Sequence, residues 1–274
     1  MVARKAGIWF LVVLALAVTV AALALPPLPQ PPEYHQFADQ RTLLGIPNFF
    51  NVSSNVAFLL VGGAGVVLLL RNRSPHASQP LLGHSVRWPF LVLFAAVALT
   101  CVGSAYYHLA PDNLRLTWDR LPMSVGFMAL LAAMISERIH PRAGVALLGP
   151  LVLAGIASVL YWQWSEAAGT GNLWPYVAVQ SFAIVAVLLI IFLFPPQYSR
   201  GTDILVAVAV YALAKGAEFY DEEIFSAGQL VGGHALKHLF AALAIFWILR
   251  MIWKRDLLTG PAAAKNAVTS DGRV

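Results

Sequence analysis

Apolar residues along this chain come in long unbroken runs, neither alternating nor confined to one helical face. Eight runs stand out, at roughly 7–25, 49–70, 88–109, 114–136, 143–163, 174–195, 203–220 and 229–252. A helix rising about 1.5 Å per residue needs about 20 apolar residues to cross a hydrocarbon core about 30 Å thick. Spanning strands would instead alternate with a period of two. The pattern predicts an all-α, polytopic transmembrane helical bundle: a seven-helix core from the last seven runs, plus one extra N-terminal helix. The first run follows Arg4 and Lys5 and ends at Pro26-Pro27 with no small-residue cleavage site. It reads as an uncleaved helix or signal anchor rather than a removed signal peptide. The expected organisation is an N-terminal helix over 1–28, a seven-helix membrane domain over 29–255 and a flexible tail over 256–274. The loop 26–48 opens Pro-rich and reads as an extended spacer, and 71–87 reads as a short polar loop.

Composition supports this reading. Of 274 residues, 59% are hydrophobic and only 11% charged, against about 25% charged in soluble domains. That excludes an ordinary soluble enzyme, a disordered chain and, with Cys101 as the single cysteine, a disulfide scaffold. The net charge of +5 points to no nucleic-acid partner, because the basic residues follow a membrane pattern. With the N-terminus inside, Arg4, Lys5, Arg71, Arg73, Arg87, Arg138, Arg142, Arg200, Arg250, Lys254, Arg255, Lys265 and Arg273 fall in inner segments. The outer loops proper keep Arg41 and Arg115, and one of them is acidic at Asp221, Glu222 and Glu223. The positive-inside rule then places both termini in the cytoplasm, with the lipid bilayer as the first partner.

Against this background, ionisable groups inside spans mark function. His35, His76, His84 and His140 fall in loops, where solvation accounts for them. His108, His234 and His238 fall in spans, all toward the outer leaflet, and Asp119 lies at the same depth. His234 and His238 are four apart and share a helix face, as do Ser104 and His108. Three neutral imidazoles form a known catalytic zinc set with one position left open for water, whose pKa the ion lowers toward neutrality. Asp119 is then the candidate for accepting and passing on the water's proton, and Ser104 for stabilising an oxyanion. Lys215 and Glu218, three apart, read as an ion pair, and Lys237 as the partner of an acidic group. Gly62, Gly63, Gly65, Gly232 and Gly233 read as close-packing positions. Tyr161, Trp162, Trp164 and Trp174 read as an interfacial aromatic belt.

Three stretches, Gly-Ser-Ala-Tyr-Tyr-His (103–108), Trp-Asp-Arg-Leu-Pro-Met (118–123) and Gly-His-Ala-Leu-Lys-His (233–238), resemble motifs of the alkaline ceramidases. That family belongs to the CREST superfamily of seven-helix membrane hydrolases, which also includes the adiponectin-type receptors. Phe49-Phe50-Asn51-Val52-Ser53-Ser54-Asn55 is similar to the family's Phe-Trp-Asn-x-x-Ser-Asn. The resemblance covers roughly 37–250. It implies zinc held by His108, His234 and His238, Asp119 handling the water, Ser104 stabilising the oxyanion, and a membrane lipid substrate, ceramide or a related N-acyl lipid. Two features depart from the family. The N-terminal helix is additional. The family's acidic calcium-binding cluster is reduced to Asp39, followed by Gln40 and Arg41, with Asn48 replacing a Glu, so calcium and strict ceramide specificity do not carry over. Two other readings start from the same histidines: a receptor-like or lipid-binding protein with a structural zinc site, and a cytochrome with two of them as haem ligands. A retinal protein on Lys237 leaves the histidines unexplained.

Overall fold

A computed structural model describes residues 2–71 and 82–258, with the side chains at 3, 84 and 85 left aside. Its helices are α1 (Val2–Ala24), α2 (Phe49–Ser53), α3 (Val56–Arg71), α4 (His84–Leu109), α5 (Asn113–Met134), α6 (Pro141–Ala167), α7 (Trp174–Leu193), α8 (Asp203–Phe219), α9 (Asp221–Gly228) and α10 (Gly233–Lys254). A π-helical turn, Ile135–Ile139, extends α5. The chain is an all-α membrane bundle with no strand among the described residues. Among the described residues, seven helical stretches are long and apolar enough to cross a membrane.

The expected eighth span, 203–220, is α8. With 17 residues it is about 26 Å long, shorter than a hydrocarbon core of about 30 Å. It still runs between the two ends of the bundle, because Asp203 meets Arg250 at 3.6 Å near the end of α10 and Glu218 meets Lys237 at 2.9 Å near its start. The two described chain ends lie together. Arg4 on α1 donates to the Ile139 carbonyl, and Arg255 just after α10 pairs with Glu137 two residues away.

Burial ranks the helices. In α5, 67% of the most apolar stretch is buried, against 11% in α1. The former is the hub, touching α4, α6 and α7, and the latter is a peripheral addition packed on α7. The main core gathers Phe90, Phe94, Met134, Ile190 and Met251. Gly62 and Gly65 let α3 press against Ala98 and Phe94 of α4, whereas Gly63 faces open space.

Several sequence expectations need correction. The 26–48 loop is not a free spacer. It contains a 3-10 turn, Pro32–His35, and buries Gln30, Phe37 and Asp39. The acidic outer loop is the short helix α9. Trp162 is fully buried, unlike its exposed neighbour Trp164, and so is not part of the aromatic belt. Residues 256–258 of the expected tail are ordered, with Leu257 bridged to Tyr198, and 259–274 lie outside the described residues. His76 and most of the 71–87 loop lie outside them too.

Candidate metal centre

The site forms at the end of the bundle remote from Glu137. His108 occupies the last turn of α4. The chain then reverses within three residues, and the Asp112 carboxylate accepts from the Arg115 N–H at 2.7 Å to cap α5. A Cβ on Gly103 would fall 2.1 Å from the Trp118 carbonyl oxygen. Only glycine lets α4 and α5 touch backbone to backbone there. That contact brings Ser104 beside Asp119, both of them buried.

A second close approach positions the other two histidines. A Cβ on Gly233 would lie 2.1 Å from the Ala217 carbonyl oxygen, so the start of α10 presses on the end of α8. Asp221, the first residue of α9, caps this junction. Its Oδ1 accepts from the His234 N–H at 2.8 Å and its Oδ2 from the Ala38 N–H at 3.0 Å. One turn on, His238 faces the same way as His234.

The three histidines converge. One nitrogen from each of His108, His234 and His238 lies within 4.8 Å of the other two, and all three side chains are buried. Neither ring nitrogen of His108 has a hydrogen-bond partner among the described residues. A buried imidazole left unpaired on both sides is unfavourable, and this nitrogen set is suited to holding a metal ion. The Ser54 hydroxyl lies 2.8 Å from His238 Nδ1 and 3.2 Å from the Asn51 carbonyl. With Nδ1 turned to Ser54, His238 Nε2 is the nitrogen free to serve as ligand, and a Ser54 hydroxyl that donates to the Asn51 carbonyl would accept from Nδ1–H. Ser54→Ala is expected to weaken metal affinity by about 10- to 100-fold, read by competition against a chelator of known affinity.

The surroundings include groups that the sequence did not single out. Phe37 lays its ring against His108 and His234, with centroids 4.7 and 4.5 Å apart, and closes the cluster from the loop side. His35, expected to be solvated, bridges the Tyr107 hydroxyl at 2.9 Å and Asn113 at 3.0 Å. Lys237 does neutralise an acidic group, Glu218, and also stands 2.8 Å from His234 Nε2. Glu218 pairs with Lys215 as well, and accepts from the Tyr34 hydroxyl at 3.4 Å. Burial, and then the Glu218 carboxylate, push the Tyr34 phenol up to about 12, so it stays a donor. Arg120 is buried beside Asp119, donates to Gln30 at 2.6 Å and stacks 4.1 Å from the Trp162 ring centroid and 4.6 Å from that of Tyr176.

Asp39 is held by Arg41, at 2.6 Å and 2.8 Å, and the same guanidinium donates to the carbonyls of Gln229 and Leu230. Burial raises the Asp39 pKa, but the hydrogen bonds from Arg41 outweigh it, and the carboxyl stays below its ordinary value. Arg41 thus clasps the loop to the α9–α10 turn. Comparison with known proteins returns no match, among either protein-family models or curated sequences.

Proposed function

We propose that the chain is a zinc-dependent hydrolase of the ceramidase type, cleaving the amide of an N-acyl lipid at the histidine end of the bundle. The observation that carries this reading is the unpartnered, fully buried His108 beside His234 and His238. The buried Ser104–Asp119 pair lies one turn away along α4. Similarity of the three short motifs to the alkaline ceramidases points the same way. The donor set suits zinc, since three neutral imidazoles make an open catalytic site. When bound, zinc supplies Lewis acidity and brings the pKa of its water to about 7.

The remaining work falls to side chains. His108, His234 and His238 would hold the ion, and Ser54 would orient the His238 ring through Nδ1. The Asp119 carboxylate takes a proton from the attacking water and delivers it to the departing amide nitrogen. The Ser104 hydroxyl donates toward the carbonyl oxygen as negative charge builds there. The amide C–N bond breaks as a C–O bond forms, giving a fatty acid and an amine. Phe37 shields the cluster from bulk water. With the cation-rich end in the cytoplasm, the site faces the periplasm or lumen.

One observation favours a second reading. The Phe37 ring fills the space in front of two of the three histidines, as a purely structural metal site in a receptor-like protein would allow. Incubating zinc-loaded protein with ceramides and other N-acyl lipids, and measuring released fatty acid by mass spectrometry, separates the two. The hydrolase reading expects turnover of at least one lipid, lost on metal removal. A silent panel supports the receptor-like reading.

A further inference from the structure

Lys237 follows His234 by three residues on α10, so the two side chains are neighbours on that helix. Its ammonium stands 2.8 Å from His234 Nε2 and 2.9 Å from the Glu218 carboxylate of α8. The arrangement is enclosed and braced. The Lys237 and Glu218 side chains are 15% and 14% exposed, and Glu218 is held in turn by Lys215 and the Tyr34 hydroxyl. The Lys237 charge also acts on Asp119 of α5 and on all three histidines. None of the hydrolytic steps derived above makes use of it.

A neutral imidazole has one lone-pair nitrogen and one N–H, whereas an ammonium has donors only. Paired with Glu218, Lys237 is an ammonium, so its contact with Nε2 uses the lone pair of His234. A metal ion needs that same electron pair. Binding at Nε2 displaces the ammonium directly. Binding at Nδ1 puts the ring proton on Nε2 and turns it against the ammonium. On either nitrogen, the ion and the Lys237 hydrogen bond exclude each other. Glu218 offers the ammonium another place, since it already holds it. We propose that Lys237 is an internal competitor for the metal at His234. It covers the His234 lone pair and yields it to a divalent cation by moving onto Glu218, and this exchange sets how tightly the ion is held. The inference rests on the histidine cluster being a metal site, not on the hydrolysis proposed there.

The test is a cobalt(II) titration of the full chain in detergent after treatment with a chelator. The visible bands of four-coordinate cobalt report binding, and their displacement by zinc gives the zinc affinity. Lys237→Met keeps the length of the side chain and leaves Glu218 its pair with Lys215, and circular dichroism checks its fold. It is expected to tighten the metal by about tenfold or more, the scale on which groups bonded to a ligand imidazole act. Lys215→Met removes an equal charge from the same carboxylate without touching His234, and should leave the affinity unchanged. Glu218→Gln should loosen the metal, and much less so once Lys237 is Met. Unchanged or weaker affinity in folded Lys237→Met, or equal tightening by Lys215→Met, overturns the competition and leaves the metal site standing. Equal loosening by Glu218→Gln in both backgrounds overturns the exchange onto Glu218. No cobalt bands in any of the proteins overturns the metal site itself.

Discussion

Asp119→Asn is expected to keep its metal and to lose at least about a hundredfold in turnover, the lower end of what a positioned acid–base group supplies. Asparagine preserves the shape of the side chain and its place beside Ser104, so the α4–α5 contact at Gly103 stays intact. What disappears is the carboxylate able to take up a proton. The loss should therefore fall on kcat with little change in KM. Fatty-acid release kinetics, beside metal analysis of the same preparation, give the answer. An undiminished rate with metal in place would reduce Asp119 to a buried structural acid, held among Ser104, Lys237 and Arg120.

The largest effect on stability is expected at the other end. The Arg255 and Glu137 side chains are 0% and 1% exposed and meet at 2.6 Å. Arg255 also lies over Tyr198 at 4.2 Å and has two further nitrogens without partners among the described residues. Glu137→Ala strands that charge and is expected to destabilise the protein by about 3–5 kcal/mol. Replacing both residues by Met removes the stranded charge and should recover most of the loss. Thermal unfolding of the two variants in the same detergent distinguishes a charge effect from simple loss of packing.

The spans were legible because a run of about 20 apolar residues admits few other structures. Their boundaries moved by a few residues where caps such as Asp112 set the start. The convergence of His108 with His234 and His238 was legible in the sequence as common depth plus i, i+4 spacing. Other parts of the site depend on contacts between distant residues. Prolines at 26–32 suggest a spacer, yet Phe37 and Asp39 are buried because Asp221 and Arg41 tie that loop to the α8–α10 junction. Ser54 belongs to the stretch Phe49–Asn55, but its contact with His238 arises only where the break between α2 and α3 meets α10. Trp162 was within reach of spacing alone: Tyr161 and Trp164 share a helix face, and Trp162 lies about 100° from Tyr161, on the side that covers Arg120. Asp221, Glu222 and Glu223 suggested a solvated loop, although acidic residues in a first turn also favour a helix start, here α9.

Whether the histidine cluster holds zinc is decided by metal content, measured by mass spectrometry. Wild-type protein, purified without chelators, should be compared with a His234→Ala/His238→Ala variant whose helical content is verified by circular dichroism. About one zinc per wild-type chain, and none in a folded variant, is the predicted result. No metal in the wild type, or equal zinc in both proteins, would contradict it.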